Sequence, residues 1–278
     1  MKKTKLILLA LPLFALAACS AGYGPRIDYY TAMERAEDID AAHARYGVRN
    51  AKVTVSQTMS KGSASQTQQI DFSVNSQGDV YFKTTEKYSS TGMSSSITRE
   101  CYNVNNVKGY GTVTYIKVTQ GTASTVKTYL NGNYSYSDVS YFPSDIFDNP
   151  FYMITDYYYS EARYIVDFYE NLSGVPVTAS YYSKGRGSLT VVMKTSQSNN
   201  KPYNSSNYDD DYTYKSFNMT ATYSNYLMQE ITGDGTRVDD VKQKATQKYS
   251  YPNSLSINLP SGWQNTIVYL LNDEDVAI

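Results

Sequence analysis

From Lys52 onward the apolar residues recur at every second position, and that period sets the strongest limit on what the chain can fold into. Val53 and Val55 alternate with Thr54 and Ser56, and Ile70, Phe72 and Val74 alternate with Asp71 and Ser73. Val80 and Phe82 follow the turn residues Asn75-Ser76-Gln77-Gly78. Successive strand side chains point to opposite faces, so each run reads as a strand with one apolar face. The pattern predicts further strands over 95–104, 111–119, 123–130, 177–181, 189–193, 217–223, 255–259 and 266–271. The run Phe217, Met219, Ala221, Tyr223 is the cleanest. Asn105–Gly109, Gln120-Gly121 and Asn131-Gly132 separate the strands, and turn signals at such spacing mark an antiparallel meander. One face of that sheet is expected to be covered and the other wet.

Two stretches follow a helical period instead. Met33, Ala36, Ile39, His43 and Tyr46 recur at three- and four-residue spacings. Thr31 and Glu34 stand at capping-box distance, and Gly47 offers a left-handed stop, so a helix is predicted over 30–46. Asn149-Pro150 then reads as an N-cap and first helical residue. Phe151, Ile154, Tyr158, Ala162, Ile165, Tyr169 and Leu172 keep helical spacing, with a break near Asp156 and an outer pair Arg163–Asp167. Residues 196–211 read as a polar loop. Helices set apart from an antiparallel sheet make the class α+β. The expected architecture is a single strongly curved sheet, an incomplete barrel, with an N-terminal helix and a central helical segment.

The N-terminus carries an address. Lys2, Lys3 and Lys5 precede an apolar run from Leu6 to Ala18, which is 13 residues. That is too short for a spanning helix, which needs about 20, and the layout is that of an export signal. The run ends Leu16-Ala17-Ala18-Cys19. This resembles the lipobox of bacterial lipoproteins, which implies cleavage before Cys19 and a diacylglyceryl group on its sulfur. The alternative is an ordinary secretory signal cut after Ala15-Leu16-Ala17. The lipobox reading divides the chain into a signal (1–18), a lipidated cysteine and flexible tether (19–27) and one α+β domain (28–278). It implies an extracytoplasmic protein held on the cell envelope, on the outer membrane in a Gram-negative cell, which Ser20 permits, or on the outer face of the plasma membrane in a Gram-positive one.

Composition removes several classes. The 25 basic and 26 acidic side chains balance, so there is no basic excess for nucleic acid. Two cysteines are too few for a disulfide framework. With Cys19 lipidated, Cys101 is expected to be a buried small hydrophobe, and with an ordinary signal a Cys19–Cys101 bridge opens as an option. His43, the only histidine, lies on a helix stripe and is expected to pack against the sheet. No G-x-S-x-G elbow, H-E-x-x-H or P-loop occurs. The acidic run Asn207–Asp211 lacks the spacing of a calcium loop and reads as solvated. No cofactor or metal is expected, and the chain reads as non-catalytic. Asn133, Asn171, Asn204 and Asn218 head N-x-[ST] triplets of the kind chance produces in so Asn-rich a chain.

The order of elements, over roughly 28–271, resembles that of LolA-like and LppX-like carriers of exported lipids and lipoproteins. That resemblance implies an apolar cavity between sheet and helices that takes a lipid or acyl chain. Residues expected to line it are Met33, Ile39, Phe72, Phe82, Leu189, Val191, Met193, Phe217 and Met219, and the same residues would also fill an ordinary core. The 30 tyrosines support a different reading, a surface that binds a glycan or protein partner through exposed rings.

Overall fold

The computed structural model describes residues 22–46, 50–148, 161–167, 177–195, 198, 200, 202, 204–206 and 213–268. The class is α+β. Twelve strands lie in one antiparallel sheet that is not closed into a barrel. They are β1 (Arg26–Ile27), β2 (Ala51–Lys61), β3 (Ala64–Val74), β4 (Val80–Ser90), β5 (Met93–Val107), β6 (Gly111–Gln120), β7 (Ala123–Leu130), β8 (Val177–Tyr182), β9 (Leu189–Thr195), β10 (Tyr214–Ser224), β11 (Leu227–Arg237) and β12 (Lys242–Ser250). The hydrogen-bonded order is β1-β8-β9-β10-β11-β12-β2-β3-β4-β5-β6-β7. The helices are α1 (Tyr29–Tyr46), α2 (Tyr136–Val139), α3 (Asp145–Asp148) and α4 (Ala162–Asp167). Among the described residues no helix is long and apolar enough to cross a membrane.

The chain forms two compact units. The first draws on Met1–Tyr46 and Glu161–Asp239. Its apolar face is built by register: Ala179, Met193 and Met219 stand opposite one another, as do Tyr181, Val191 and Ala221, and Leu189 faces Tyr223. Helix α1 contributes buried Ala32, Ala36, Ile39 and His43. Asp28, not Thr31, caps this helix: its carboxylate accepts from the Thr31 N–H at 2.9 Å and the Thr31 hydroxyl at 3.0 Å. These bonds, the backbone one first, hold the Asp28 carboxyl below its ordinary pKa. Asp40 in turn receives the Ala162 and Arg163 N–H groups at 2.8 and 3.1 Å and so caps α4.

The second unit draws on Gly47–Ser160 and Asp240–Ile278. One face of its sheet carries the row Tyr249, Val53, Phe72, Phe82, Cys101, Ile116, all buried. Residues 134–147 close over that face. Phe142 meets Phe82 edge-on at 5.9 Å, Tyr134 meets Phe147, and Val139 and Ile146 are buried. Tyr129 and Lys127 both bond the Asp138 carboxylate, fastening α2 to β7.

The opposite face of this unit is not wet throughout, as the alternation implies. Near β6 and β7 it holds a cluster of Val113, Tyr115 and Trp263, with Tyr102, Val126, Leu130, Leu259 and Ile267 packed against it. The C-terminal segment carries Trp263 across this face, and Thr128 anchors it through its hydroxyl to the Trp263 carbonyl and through its carbonyl to the Val268 N–H. Residues 255–259 therefore form no strand; Leu259 is apolar because it covers this face. The strand expected at 266–271 reduces, in its described part, to a single parallel bridge between Ile267 and Thr128.

Two real strands, β11 and β12, carry too little alternation to be predicted. Of the helix expected over 150–173, α4 is helical, while Asn149-Pro150, residues 151–160 and residues 168–173 lie outside the described residues. Arg163 does not pair with Asp167. It bonds Asp40 at 3.3 Å, while Asp167 accepts from the Tyr29 hydroxyl at 2.5 Å, because each end of α4 is held by α1.

Candidate functional site

The nine residues expected to line a lipid cavity divide between the units. Phe72 and Phe82 lie in the second unit, and Met33, Ile39, Leu189, Val191, Met193, Phe217 and Met219 in the first. Ile39, Leu189, Val191 and Met193 have no exposed surface, so no water-sized void touches them. Phe72 and Phe82 are 1% and 3% exposed and their rings pack at 6.3 Å. Met219 is buried as well, whereas Met33 and Phe217 are half-buried. His43 is buried on α1. Cys101 is buried with a free thiol, and that burial pushes its pKa up. Cys19 and Asn207–Asp211 lie outside the described residues. Among the described residues no three His, Cys, Asp or Glu side chains are grouped to hold a metal.

The face of the second unit that carries Phe72 and Phe82 changes character toward the hairpin ends. Beyond the apolar rows comes Gln247, Val55, Ile70, Thr84, Arg99, Val118, paired strand by strand. The next row is Ala245, Gln57, Gln68, Glu86, Ile97, Gln120, and the one after it Gln243, Met59, Gln66, Tyr88, Ser95. Five amides, one carboxylate and one tyrosine thus share one surface in two adjacent rows. Arg99 stands at the boundary, its guanidinium 2.9 Å from Glu86 and 5.0 Å from the centre of the exposed Tyr141 ring. The buried Thr84 hydroxyl and Arg99 Nε, on cross-strand partners, have no hydrogen-bond partner among the described residues.

Two hollows open beside these rows. One of about 150 Å³ is lined by Gln66, Glu86, Tyr88, Ser95, Ile97 and Gln120, with Lys87 and Ser96. Its neighbour of about 600 Å³ shares Tyr88, Ser95 and Gln120 with it, loses Gln66, Glu86 and Ile97, and gains Ser89, Ser94 and Gly121. Amides offer two donors and an acceptor in one plane, and serines offer either. The amides and serines that line the smaller hollow can bond a neutral ligand with many hydroxyls.

On the other face, Tyr81, Tyr102 and Tyr115 stand opposite one another across β4, β5 and β6. Their rings approach at 4.8 and 5.8 Å, and the Tyr102 hydroxyl donates to Glu100 at 3.0 Å. Burial first, and the Glu100 charge second, push the Tyr102 pKa up to about 12. Neither this ladder nor the amide rows can be read from the sequence, because both depend on strand register.

No family model matches this sequence, and no curated protein matches it. Among solved structures, a DUF1329 family protein from Desulfovibrio piger is similar at 8% identity, over 82% of this chain and 94% of that one, with a TM-score of 0.22. At that score the likeness assigns neither family nor function.

Proposed function

We propose that the protein is a membrane-anchored, non-catalytic extracytoplasmic lipoprotein that binds a glycan on the amide-bearing end of its second unit. The observation that carries the ligand class is the pair of rows Gln57, Gln68, Glu86, Gln120 and Gln243, Gln66, Tyr88, Ser95 on one sheet face, of which Gln66, Glu86, Tyr88, Ser95 and Gln120 line the hollow of about 150 Å³ and Tyr88, Ser95 and Gln120 open into its neighbour of about 600 Å³. Small-molecule sites commonly run about 300–1,000 Å³ and fix their ligand with a few placed polar groups. Sugar hydroxyls match planar amides and a carboxylate, and the apolar face of a sugar ring matches Tyr88, which is 44% exposed. The anchor rests on the lipobox ending in Cys19.

A hydrophobic ligand held between sheet and helices is the second reading. It is favoured by the half-buried Met33 and Phe217 on the first unit's apolar elements, and it requires the cover over Leu189, Val191 and Met193 to move. Native electrophoresis of the protein from Ser20 onward, made without its signal, through gels containing dextran, pullulan or xyloglucan separates the two. Retardation by one polysaccharide, lost in Tyr88→Ala and kept in Phe217→Ala, is expected. No retardation across such a panel, with a lipid found on the protein by native mass spectrometry, would replace the glycan with the hydrophobic ligand.

A further inference from the structure

Arg99 and Glu86 meet diagonally across β5 and β4, on the face that bears the amide rows. Register sets Arg99 opposite Thr84 and Glu86 opposite Ile97, so the two charged side chains lie one row apart, within reach of one another. The Arg99 side chain is 15% exposed and that of Glu86 34%. The pair is made through single atoms. Arg99 Nη1 donates to Glu86 Oε1 at 2.9 Å, and Glu86 Oε2 takes no hydrogen bond among the described residues. A carboxylate has about four lone-pair sites, so about three stay open. A pair partly sheltered from water is screened less than a surface pair, and it holds Glu86 in one place.

Glu86 lines the smaller hollow, of about 150 Å³, with Gln66, Ser95 and Gln120. A water takes about 30 Å³ of the liquid, so this hollow has the space of about five waters, comparable to one sugar residue. Tyr88 and Gln120 line both this hollow and its larger neighbour, so a chain can continue from one into the other. Two adjacent hydroxyls of one sugar match the open lone pairs of a fixed carboxylate, and hydrogen bonds to an ionised acceptor are the strong ones.

We propose that the smaller hollow is a subsite for one sugar residue with an unsubstituted vicinal diol. Glu86 accepts from both of its hydroxyls, and Arg99 is the positioning residue that holds Glu86 for them. This rests on the reading that this end of the second unit binds a glycan, and it narrows the class: a residue whose adjacent hydroxyls are both capped cannot donate to Glu86.

The test compares gels containing dextran, pullulan or xyloglucan, whose sugars carry vicinal diols, with gels containing the same polysaccharides after periodate oxidation and borohydride reduction. Periodate breaks the carbon–carbon bond between adjacent hydroxyls, and borohydride reduces the resulting aldehydes to alcohols, so hydroxyls remain but the diol is lost. The protein from Ser20 onward should be retarded by an intact polysaccharide and run freely through its oxidised form. With the intact polysaccharide, Glu86→Gln should weaken retardation about tenfold, the effect of losing one hydrogen bond to a charged group. Arg99→Lys should weaken it less, because lysine still offers a point charge to the carboxylate. The double variant E86Q/R99K should bind no more weakly than E86Q, since Arg99 acts through Glu86. Equal retardation by intact and oxidised polysaccharide would overturn the diol subsite while the glycan reading stands, and that comparison needs no variant to fold. Unchanged binding by E86Q would overturn the role of Glu86, and an additive loss in the double variant that of Arg99. No retardation by any intact polysaccharide would overturn the glycan reading itself, and this subsite with it.

Discussion

Cys101 stands between Phe82 and Ile116 in the central apolar row of the second unit, with no exposed surface and a thiol whose pKa burial raises. A thiolate is the reactive form, so this sulfur should be inert in the native protein. Ellman's reagent should leave Cys101 unreacted until denaturant is added, and fast reaction of the folded chain would contradict its placement. Tyr102 gives a second residue-scale prediction. Its folded pKa is raised to about 12 from an ordinary value of 10, so its contribution to stability is complete below pH 10 and is lost as pH rises through about 12. Burial also raises Tyr81, Tyr115, Tyr129, Tyr214 and Tyr251, so ultraviolet titration should show several tyrosines ionising late, and Tyr102→Phe should lower that late amplitude by one tyrosine. The sequence marks Cys101 as a small buried hydrophobe, since it lies in an alternating run. It does not mark Tyr102 as part of a ladder, because its neighbours Tyr81 and Tyr115 are 21 and 13 residues away and meet it only through register.

At the scale of elements, the cover of residues 134–147 over β4 depends on Phe82 and its edge contact with Phe142. Phe82→Ala should cost about 3–5 kcal/mol, read as a fall in the urea midpoint, because truncation of a buried ring loses transfer energy and leaves a cavity. The link between α2 and β7 should respond to acid. Burial raises the Asp138 pKa, but the bonds from Lys127 and Tyr129 outweigh it and the net shift is downward. A lowered folded pKa means that the stabilisation is present above the ordinary carboxylate value of about 3.9 and is lost as pH falls below it. Asp138→Asn should lower stability at neutral pH and reduce the loss seen between neutral pH and acid. Most strands were legible, because stretches such as 70–74 in β3 and 217–223 in β10 alternate without interruption. β11 was not, since its Thr232-Gly233-Asp234-Gly235-Thr236 stretch has no apolar residue. Gly235 has a physical reason: a Cβ there would lie 2.9 Å from both the Ser216 carbonyl oxygen and the Tyr214 ring. β12 was hidden because Ala245 and Tyr249 are the only hydrophobic side chains along it. Leu255, Ile257 and Leu259 misled in the opposite direction, since a segment that covers a sheet face also alternates between buried and exposed.

At the scale of the whole molecule, period-two alternation and turn spacing were enough to give an α+β chain with one open antiparallel sheet. They could not give a binding surface. Apolar positions on a one-faced sheet look the same whether they fill a core or line a cavity, and only exposure shows that Ile39, Leu189, Val191 and Met193 touch no void. The amide rows were invisible for the converse reason: Gln57, Gln66, Gln68 and Gln243 read as ordinary polar strand residues until register sets them side by side. The proposed glycan surface presupposes a protein held outside the cytoplasm on a lipid anchor, so the state of Cys19 is the claim on which the rest depends. Mass spectrometry of the peptide released by trypsin after Arg26, from protein isolated with membranes, measures it directly. A peptide beginning at Cys19 and carrying the mass of a diacylglyceryl group on sulfur, absent from the Cys19→Ser protein, is the expected result. An unmodified mature N-terminus at Ala18 would contradict it.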